Sequence, residues 1–488
     1  MRVGAASLLA GLALAAAGCG GGGGGGGNAL PAAAKVVPAS AAVLISVKTD
    51  FSSSQFKNAL ALLRKFPDGL RSLRRFSAQN GHIDFERDVK PAFGPEFDVV
   101  LLDFKNGGNH TVGLTQPRNK AKFAALMNKG PDKSATGEVN GWSVVADSQS
   151  QIDAFRRASS GDKLDGVAEF KDAMGDLDEK AAVRAYIAGE PVQRELDKAL
   201  ERAGAPANLT RDGVARMESI SAAGLIEPNG VRLESALATD PAAKPKIVKP
   251  TLAGSLPAGA LLYVSTADLA APTRTILKLV GRSQPNFQTQ LGQVQTILGF
   301  SLEKDVYPLL SREEAFALYP AKPIPKIVFV AKAPDEGRAR ELLAHILQLV
   351  KLSGSLTVTT SSVGGVEVEE VAEPSSGVHV FIAVTEGKLI VTTARDTLPA
   401  LIEGKGPKLA GDPLYRQARA GAKVPANVVG MAYANLADGL PFAFDLAEAN
   451  GSLVPPEART NTKPLSHVLL YAEQDGKRFR LSGFLAIK

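Results

Sequence analysis

Two octapeptides, DFERDVKP at residues 84–91 and SLEKDVYP at residues 301–308, share one pattern and organise the prediction of the fold. A second match precedes them, because PASA at residues 38–41 resembles PAGA at residues 257–260. Each of these tetrapeptides leads into a short apolar run that is typical of a buried strand. The spacing between the members of each pair is similar, so we expect an internal duplication.

Each octapeptide carries a glutamate and an aspartate two residues apart: Glu86 and Asp88 in the first, Glu303 and Asp305 in the second. This pattern suggests either a helix start or a catalytic or metal site. A cation needs several oxygen ligands in a concave array, and one such pair does not supply them. A helix start explains more of the pattern. Asp84 and Ser301 are good N-cap residues, and the following glutamate lies where a helix dipole favours negative charge. The closing proline would limit the helix, so we favour the structural interpretation.

The predicted fold class is α+β, with two duplicated repeats that each contain a largely antiparallel sheet packed with helices. The first repeat spans residues 36–240 and the second spans residues 253–488. Residues 241–252 form the linker, since this segment contains three prolines and shows no helical or strand periodicity. At 488 residues the chain is also long for a single core.

Within each repeat we predict one long amphipathic helix, over residues 55–76 in the first and residues 272–298 in the second. Asn229-Gly230 and Asp475-Gly476 are typical hairpin turns. The second repeat has extra residues between Leu352 and Val384, where β-branched residues alternate and Gly364-Gly365 marks a turn. This segment predicts one or two added hairpins.

The N-terminus has the pattern of an export signal. A basic Arg2 and a short apolar run precede Cys19, which is the only cysteine in the chain. We expect residues 1–18 to be a signal peptide, Cys19 to be the lipid attachment site, and residues 19–35 to form a Gly/Ala-rich tether. Ala16 departs from the usual lipobox, and a soluble secreted protein is the alternative. The expected location is the cell membrane, lipid-anchored on its extracytoplasmic face.

The formal net charge is +6, and the basic residues are locally clustered. Clusters occur at Arg64-Lys65, Arg71, Arg74-Arg75 and Arg156-Arg157. We favour a solvated helix face as their role, and the alternative is attraction to anionic lipid headgroups or a cell-wall polymer. Aromatic content is only 6%, which argues against a nucleic-acid partner. Partners are therefore expected to be the membrane, through the lipid, and a protein, lipid or cell-wall component.

No catalytic, cofactor-binding or metal-binding residue is predicted. The five histidines are not paired at metal-ligand spacing, and no zinc-protease, phosphate-loop or nucleophile-elbow motif occurs. We expect His110 to lie in a turn and Trp142 to pack in a strand. The absence of these motifs leans against an enzyme without deciding the question.

The chain resembles an uncharacterised domain-of-unknown-function family of exported bacterial proteins. The resemblance rests on the strand start at residue 38, the octapeptides and the segment Phe93-Gly94-Pro95-Glu96. The resemblance covers most of the chain after Cys19. It implies no activity, cofactor or catalytic residue. Ser311 stands where Gly94 stands in the first repeat, so the helix exit there is less well defined.

The function expected from these observations is a lipid-anchored, exported envelope protein with a non-enzymatic binding or scaffold role. One alternative is a carrier of lipid or another hydrophobic ligand, which requires a contiguous apolar cavity of several hundred Å³. A second alternative is an enzyme with an unrecognised polar site, which requires titratable groups with perturbed pKa values that converge in one cleft.

Overall fold

The computed structural model describes residues 29–79, 83–105, 110–129, 133–202, 216–240, 244–284, 286–375 and 377–488. Within these residues eighteen strands form one sheet. The strands are β1 (Val43–Lys48), β2 (Glu96–Leu101), β3 (Thr111–Thr115), β4 (Ala135–Val139), β5 (Trp142–Ala146), β6 (Val183–Ala188), β7 (Arg216–Glu227), β8 (Gly230–Asp240), β9 (Leu262–Thr266), β10 (Glu314–Tyr319), β11 (Lys326–Lys332), β12 (Thr357–Val363), β13 (Val366–Glu373), β14 (Val378–Thr385), β15 (Lys388–Thr392), β16 (Gly430–Asn435), β17 (Leu465–Asp475) and β18 (Arg478–Ile487).

Every pairing in the sheet is antiparallel, and the pairings define a single linear order. From one edge to the other this order is β4, β5, β3, β2, β1, β6, β7, β8, β18, β17, β16, β9, β10, β11, β15, β14, β13 and β12. The last strand of the chain, β18, therefore lies in the middle of the sheet.

Helices cover the sheet. The α-helices are α1 (Ser54–Lys65), α2 (Gly69–Gln79), α3 (Lys120–Met127), α4 (Gln149–Ala158), α5 (Ala168–Gly175), α6 (Gly189–Arg202), α7 (Ala270–Ser283), α8 (Phe287–Leu298), α9 (Glu336–Ser353), α10 (Leu398–Ile402), α11 (Pro413–Ala422), α12 (Leu436–Ala449) and α13 (Pro456–Thr462). Short 3₁₀ turns occur at Ala32–Lys35, Leu164–Gly166, Leu252–Gly254, Arg395–Thr397 and Leu409–Gly411, and π-helical turns at Phe85–Val89 and Leu302–Val306.

The structure corrects the predicted fold class. Two repeats with one sheet each were expected, but the described strands belong to one continuous sheet. The pairing of β8 with β18 joins the parts, with Gly230 opposite Ala486 and Ala238 opposite Arg478. Both strands come from hairpins whose outer edges carry unpaired backbone groups, and pairing these edges with each other satisfies them.

Side chains reinforce this junction between β8 and β18. Leu62 of α1 packs with Ile226 and Ile487 in one apolar cluster. The buried Arg232 donates to the backbone oxygen of Gly421 at 2.8 Å and lies over the ring of Phe484. The contacts bring residues from both ends of the chain into one packed region, so the sheet is continuous in its packing as well as in its hydrogen bonds.

Each long helix predicted from the sequence is interrupted. Residues 55–76 form α1 and α2 rather than one helix, and Pro67 lies between them. Residues 272–298 form α7 and α8, and the sequence places Pro285 between these. Proline lacks the backbone N–H that a helix interior requires, and it clashes with the preceding turn. The predictions followed the apolar spacing and gave these prolines too little weight.

The hairpins predicted between Leu352 and Val384 are confirmed. Strands β12 and β13 pair in register and turn at Gly364 and Gly365, both with positive φ. Strand β13 then pairs with β14. Because glycine accepts positive φ without steric cost, its occurrence here made the turn visible in the sequence.

Candidate functional site

The two octapeptides form π-helical turns that cap themselves. Asp84 accepts a hydrogen bond from the backbone N–H of Arg87 at 2.7 Å, and its own N–H donates to Asp88 at 2.8 Å. Ser301 makes the corresponding contacts with Lys304 and Asp305. The predicted N-cap roles of Asp84 and Ser301 are therefore confirmed.

Asp88, the third acidic residue of the first octapeptide, is held by cations. Arg87 and then Lys129 lower the pKa of Asp88, so its carboxylate stays ionised at neutral pH. Among the described residues, no group of three or more His, Cys, Asp or Glu side chains is placed to hold a metal ion. The carboxylates of the motif are used for capping and ion pairing.

The same turns support the helices that precede them. Phe85 stacks on Phe56 of α1 with ring centroids 5.5 Å apart. In the second octapeptide Glu303 pairs with Arg274 of α7 at 2.9 Å, and this guanidinium lies 4.3 Å from the ring centroid of Tyr307. The motif thus fixes the base of the α1–α2 pair and of the α7–α8 pair.

A buried polar row crosses strands β2, β1 and β6. Ser46 lies opposite Asp98 on one side and Arg184 on the other, and all three are at most 4% exposed. Burial, and then the neighbouring Glu96 carboxylate, raise the pKa of Asp98 well above its usual value. A neutral carboxyl next to an arginine could take part in acid chemistry. Asp98 is 0% exposed, however, so a substrate cannot reach it.

Two adjacent glutamates at the start of β10 occupy different environments. Glu313 accepts hydrogen bonds from the N–H groups of Thr251 and Leu252, both at 2.7 Å, and pairs with Lys332 at 2.8 Å. Glu314 is 1% exposed, and neither of its carboxyl oxygens has a hydrogen-bond partner within the described part of the chain. Burial raises the pKa of Glu314 to about 8.

Sequence reasoning missed these buried polar groups, although a signal for the first row was present. Arg184 lies between the buried residues Ala182 and Tyr186 on the same face of its strand, and Asp98 lies two residues before the buried Val100. Charged residues are rarely buried without a specific reason, so such interruptions deserve a prediction. The strand pairing that brings the two together is not visible from either segment alone.

The described histidines are dispersed. His110 precedes β3 and contacts Asp103 at 3.0 Å, His379 on β14 contacts Glu370 at 2.7 Å, and His345 is exposed on α9. His467 on β17 is buried, and burial lowers its pKa. His82 lies outside the described residues. Trp142 packs in β5 and is 5% exposed, which confirms its predicted structural role.

The predicted lipid site, Cys19, lies outside the described residues. The carbonyl of Ala29, the first residue that the structure describes, accepts a hydrogen bond from Arg184 at 2.6 Å. Ala33 and Ala34 are fully buried, so the chain is already packed in the core before residue 36. The N–H of Ala29 also lies 3.5 Å from the Glu179 carboxylate. The chain therefore enters the body at a fixed place.

The basic helical pair, which we define as α1 and α2, begins beside that entry point. The side-chain amide of Gln55 in α1 donates to the backbone oxygen of Lys180 at 2.8 Å, one residue from Glu179. The turn between the helices is bound elsewhere. The N–H of Asp68 donates to the Asn461 side chain at 3.0 Å, and the Asn461 amide returns a bond of 2.9 Å.

The exposed surface of the pair is strongly cationic. The two helices contain no acidic residue, and Asp68 in the turn between them pairs with Arg71 at 2.9 Å. Six basic side chains, all exposed, lie on the two helices: Lys57, Arg64, Lys65, Arg71, Arg74 and Arg75. Four of these, all except Lys65 and Arg71, have no hydrogen-bond or carboxylate partner in the described ranges. Arg71, Arg74 and Arg75 share one face of α2 by their spacing.

A groove between α9 and strands β13 and β14 has about 80 Å³ of space for solvent. Leu343, Leu347 and Ile382 line it together with Arg340 and Glu369. A carrier of an acyl chain requires several hundred Å³, so this groove does not fit that alternative. Among the described residues no helix is both long and apolar enough to cross a bilayer.

Comparison with known proteins establishes the family. Residues 126–484 match the family described as protein of unknown function (DUF3352), and the chain belongs to it. No curated protein matches the chain.

Solved structures give only a weak similarity. Crystal form IV of TP0453 is 11% identical with a TM-score of 0.26, and the match covers 51% of this chain and 94% of that one. Crystal form III is 9% identical with a TM-score of 0.25, covering 50% and 95% respectively. At these TM-scores the similarity carries no argument about fold or function.

Proposed function

We propose that this member of the DUF3352 family is a lipid-anchored, non-enzymatic protein of the cell envelope that binds the anionic surface of its own membrane. The basic helical pair is the binding surface, and Cys19 carries the lipid. The observation that supports the proposal is that α1 and α2 carry six exposed cations, with one acidic residue in the turn between them.

Electrostatics favours this partner. A Lys or Arg close to an anionic leaflet contributes about 1 kcal/mol, and the contribution falls within a Debye length of about 8 Å at physiological salt. Within the described part of the chain, the side chains of Lys57, Arg64, Arg74 and Arg75 have neither a carboxylate nor another hydrogen-bond partner, so they can contact phosphates without breaking an existing ion pair. The solvated-face interpretation explains their exposure and leaves their concentration on one helical pair unexplained.

The position of the pair relative to the anchor supports the same partner. The ten residues from Cys19 to Asn28 can span at most about 35 Å. The chain enters the body beside the first turn of α1. A lipid on Cys19 would therefore keep α1 and α2 close to the bilayer and raise their effective concentration there.

Sedimentation with vesicles tests the binding surface. The chain from residue 20 onward, which lacks the lipid, is mixed with phosphatidylglycerol or phosphatidylcholine vesicles. We expect binding only to the anionic vesicles and weakening by salt. Arg74→Gln with Arg75→Gln should lower the affinity about 30-fold, since two charges contribute about 2 kcal/mol.

Arg156→Gln with Arg157→Gln on α4 is the matched control, because it removes an equal charge from another exposed site. Equal loss in both double variants would reduce the effect to net charge and contradict a specific surface. Binding to soluble polyphosphate with no binding to vesicles would indicate that the partner is an anionic cell-wall polymer and not the membrane.

The anchor is tested on protein purified from its own membrane. Intact-mass and peptide spectra should show a diacylglyceryl group on Cys19 as the first residue, and the Cys19→Ser variant should lack this modification. An unmodified N-terminus that still includes the residues before Cys19 would refute the anchor and leave the vesicle test unaffected.

A further inference from the structure

Helix α8 exposes an apolar stripe. Phe287, Leu291, Val294 and Ile297 recur at spacings of four, three and three residues, which aligns them on one side of the helix. None of them is buried, and Val294 and Ile297 are 46% and 77% exposed. Ile276 on α7 adds a third strongly exposed side chain, at 59%. An amphipathic helix of a globular protein normally directs such a stripe into the core.

Polar contacts hold this helical pair on the body. The N–H groups of Leu269 and Ala270 both donate to the backbone oxygen of Leu310 at 2.8 Å. The Gln295 side chain accepts from the N–H of Leu302 at 2.7 Å, and Arg274 pairs with Glu303. Ile276, Val294 and Ile297 remain strongly exposed in this arrangement, so they are available to a partner.

The charge of the segment selects among partners. No acidic residue occurs from Leu269 to Leu302, whereas Arg274, Lys278 and Arg282 are basic. Asp268 and Glu303 lie just outside this segment, and Glu303 pairs with Arg274, so the cationic excess rests on Lys278 and Arg282. An apolar stripe with an excess of cations is complementary to a surface that is anionic outside and apolar beneath. A second copy of the same pair would bring like charges together.

We infer that the α7–α8 pair inserts Ile276, Val294 and Ile297 into an anionic lipid surface. The inference rests on the proposed membrane binding for the identity of the bilayer. It differs in the part of the molecule that makes the contact and in the force that holds it there. The basic helical pair would attract the protein through charge, whereas α7–α8 would retain it by burying aliphatic side chains.

The test separates the two contributions with salt. Phosphatidylglycerol vesicles are mixed with the unlipidated chain in 0.5 M NaCl, where the Debye length is about 4 Å and exposed charges are screened. The triple variant Ile276→Ser, Val294→Ser, Ile297→Ser should partition at least tenfold less than the parent. The matched control is Ile247→Ser, Ile324→Ser, Leu453→Ser, which changes three aliphatic groups exposed elsewhere. This control should partition like the parent.

Depth is measured with a second variant. Ile297→Trp should show a blue-shifted emission and quenching by brominated acyl chains, while the buried Trp142 remains unquenched as an internal reference. Absence of quenching, or equal partition of the two triple variants, would overturn the inference. A change from dimer to monomer in the first triple variant would instead assign the stripe to self-association.

The outcomes distinguish the two proposals. One outcome is that Arg74→Gln with Arg75→Gln loses vesicle binding at low salt while the serine variants have no effect at high salt. This outcome would support membrane binding by the basic helical pair alone. The reverse pattern would sustain insertion and refute the proposed electrostatic surface.

Discussion

Removing the titration of Glu314 is expected to make the protein less sensitive to rising pH. Glu314 lies in β10 opposite Thr266 and Ala331, where it is 1% exposed. Burial, and then the nearby Asp268 carboxylate, raise its pKa to about 8. In the unfolded chain a glutamate has a pKa of about 4.3. Between these values the folded protein keeps a proton that the unfolded chain releases.

The sign of the effect follows from this proton. Where the folded state binds more protons than the unfolded state, the free energy of unfolding decreases as pH rises. The slope is about 1.4 kcal/mol per pH unit for one group, so raising the pH from 5 to 7 should cost up to about 3 kcal/mol. Relaxation around the ionised group makes this an upper limit.

Urea denaturation of the parent and of Glu314→Gln at several values between pH 5 and pH 8 measures the difference. The free energy of unfolding of the variant should increase relative to that of the parent by up to about 3 kcal/mol as the pH rises from 5 to 7. The cost of burying the amide shifts the whole curve of the variant and leaves this pH-dependent difference intact. Parallel curves for the two proteins would refute the reasoning.

The adjacent substitution Glu313→Gln provides a matched control, because it should lower the free energy of unfolding at neutral pH. The Glu313 carboxylate accepts two backbone N–H bonds at 2.7 Å and pairs with Lys332. Replacing it with a neutral amide should destabilise the protein by about 2 kcal/mol at pH 7, since charge-assisted bonds in a buried site are lost. The comparison therefore separates a satisfied buried carboxylate from an unsatisfied one within two consecutive residues.

Three further substitutions test the fold, each by urea denaturation. Asp84→Ala removes the cap of the first π-helical turn and should cost about 1 kcal/mol, whereas an unchanged midpoint would contradict the capping role. Gly230→Ala should cost more than about 2 kcal/mol, because a Cβ there would lie 2.1 Å from the Leu485 carbonyl oxygen across the β8–β18 pairing. Asp68→Ala and Asn461→Ala should be non-additive in a double-mutant cycle by about 1 kcal/mol, and simple additivity would contradict their contact.

Local features of this chain were predictable because their chemistry is local. The N-caps at Asp84 and Ser301, the glycine turn at residues 364–365 and the packed Trp142 each follow from a residue and its immediate neighbours. The separation of α1 from α2 was equally local, and the amphipathic spacing of residues 55–76 outweighed Pro67 in the prediction.

The single sheet was not predictable in the same way. The prediction of separate sheets assumed that each hairpin pairs within its own part of the chain. The pairing of β8 with β18 joins strands about 250 residues apart, and the sequence of either hairpin is compatible with several neighbours. The buried row of Ser46, Asp98 and Arg184 depends on such pairing too, since its members come from three strands.

The basic surface shows how the two kinds of information combine. The sequence places the cations, and the amphipathic spacing predicts that they face solvent. Only the structure places Gln55 beside the Glu179–Lys180 segment, where Ala29 enters the body, and binds Asp68 to Asn461 of α13. These contacts hold the cations near the point from which an anchored tether would run. The α7–α8 pair carries aliphatic groups instead, on a base built from the second octapeptide. Charge acts over about a Debye length and apolar burial only at contact, so a membrane encounter would engage the basic pair first and the apolar stripe second.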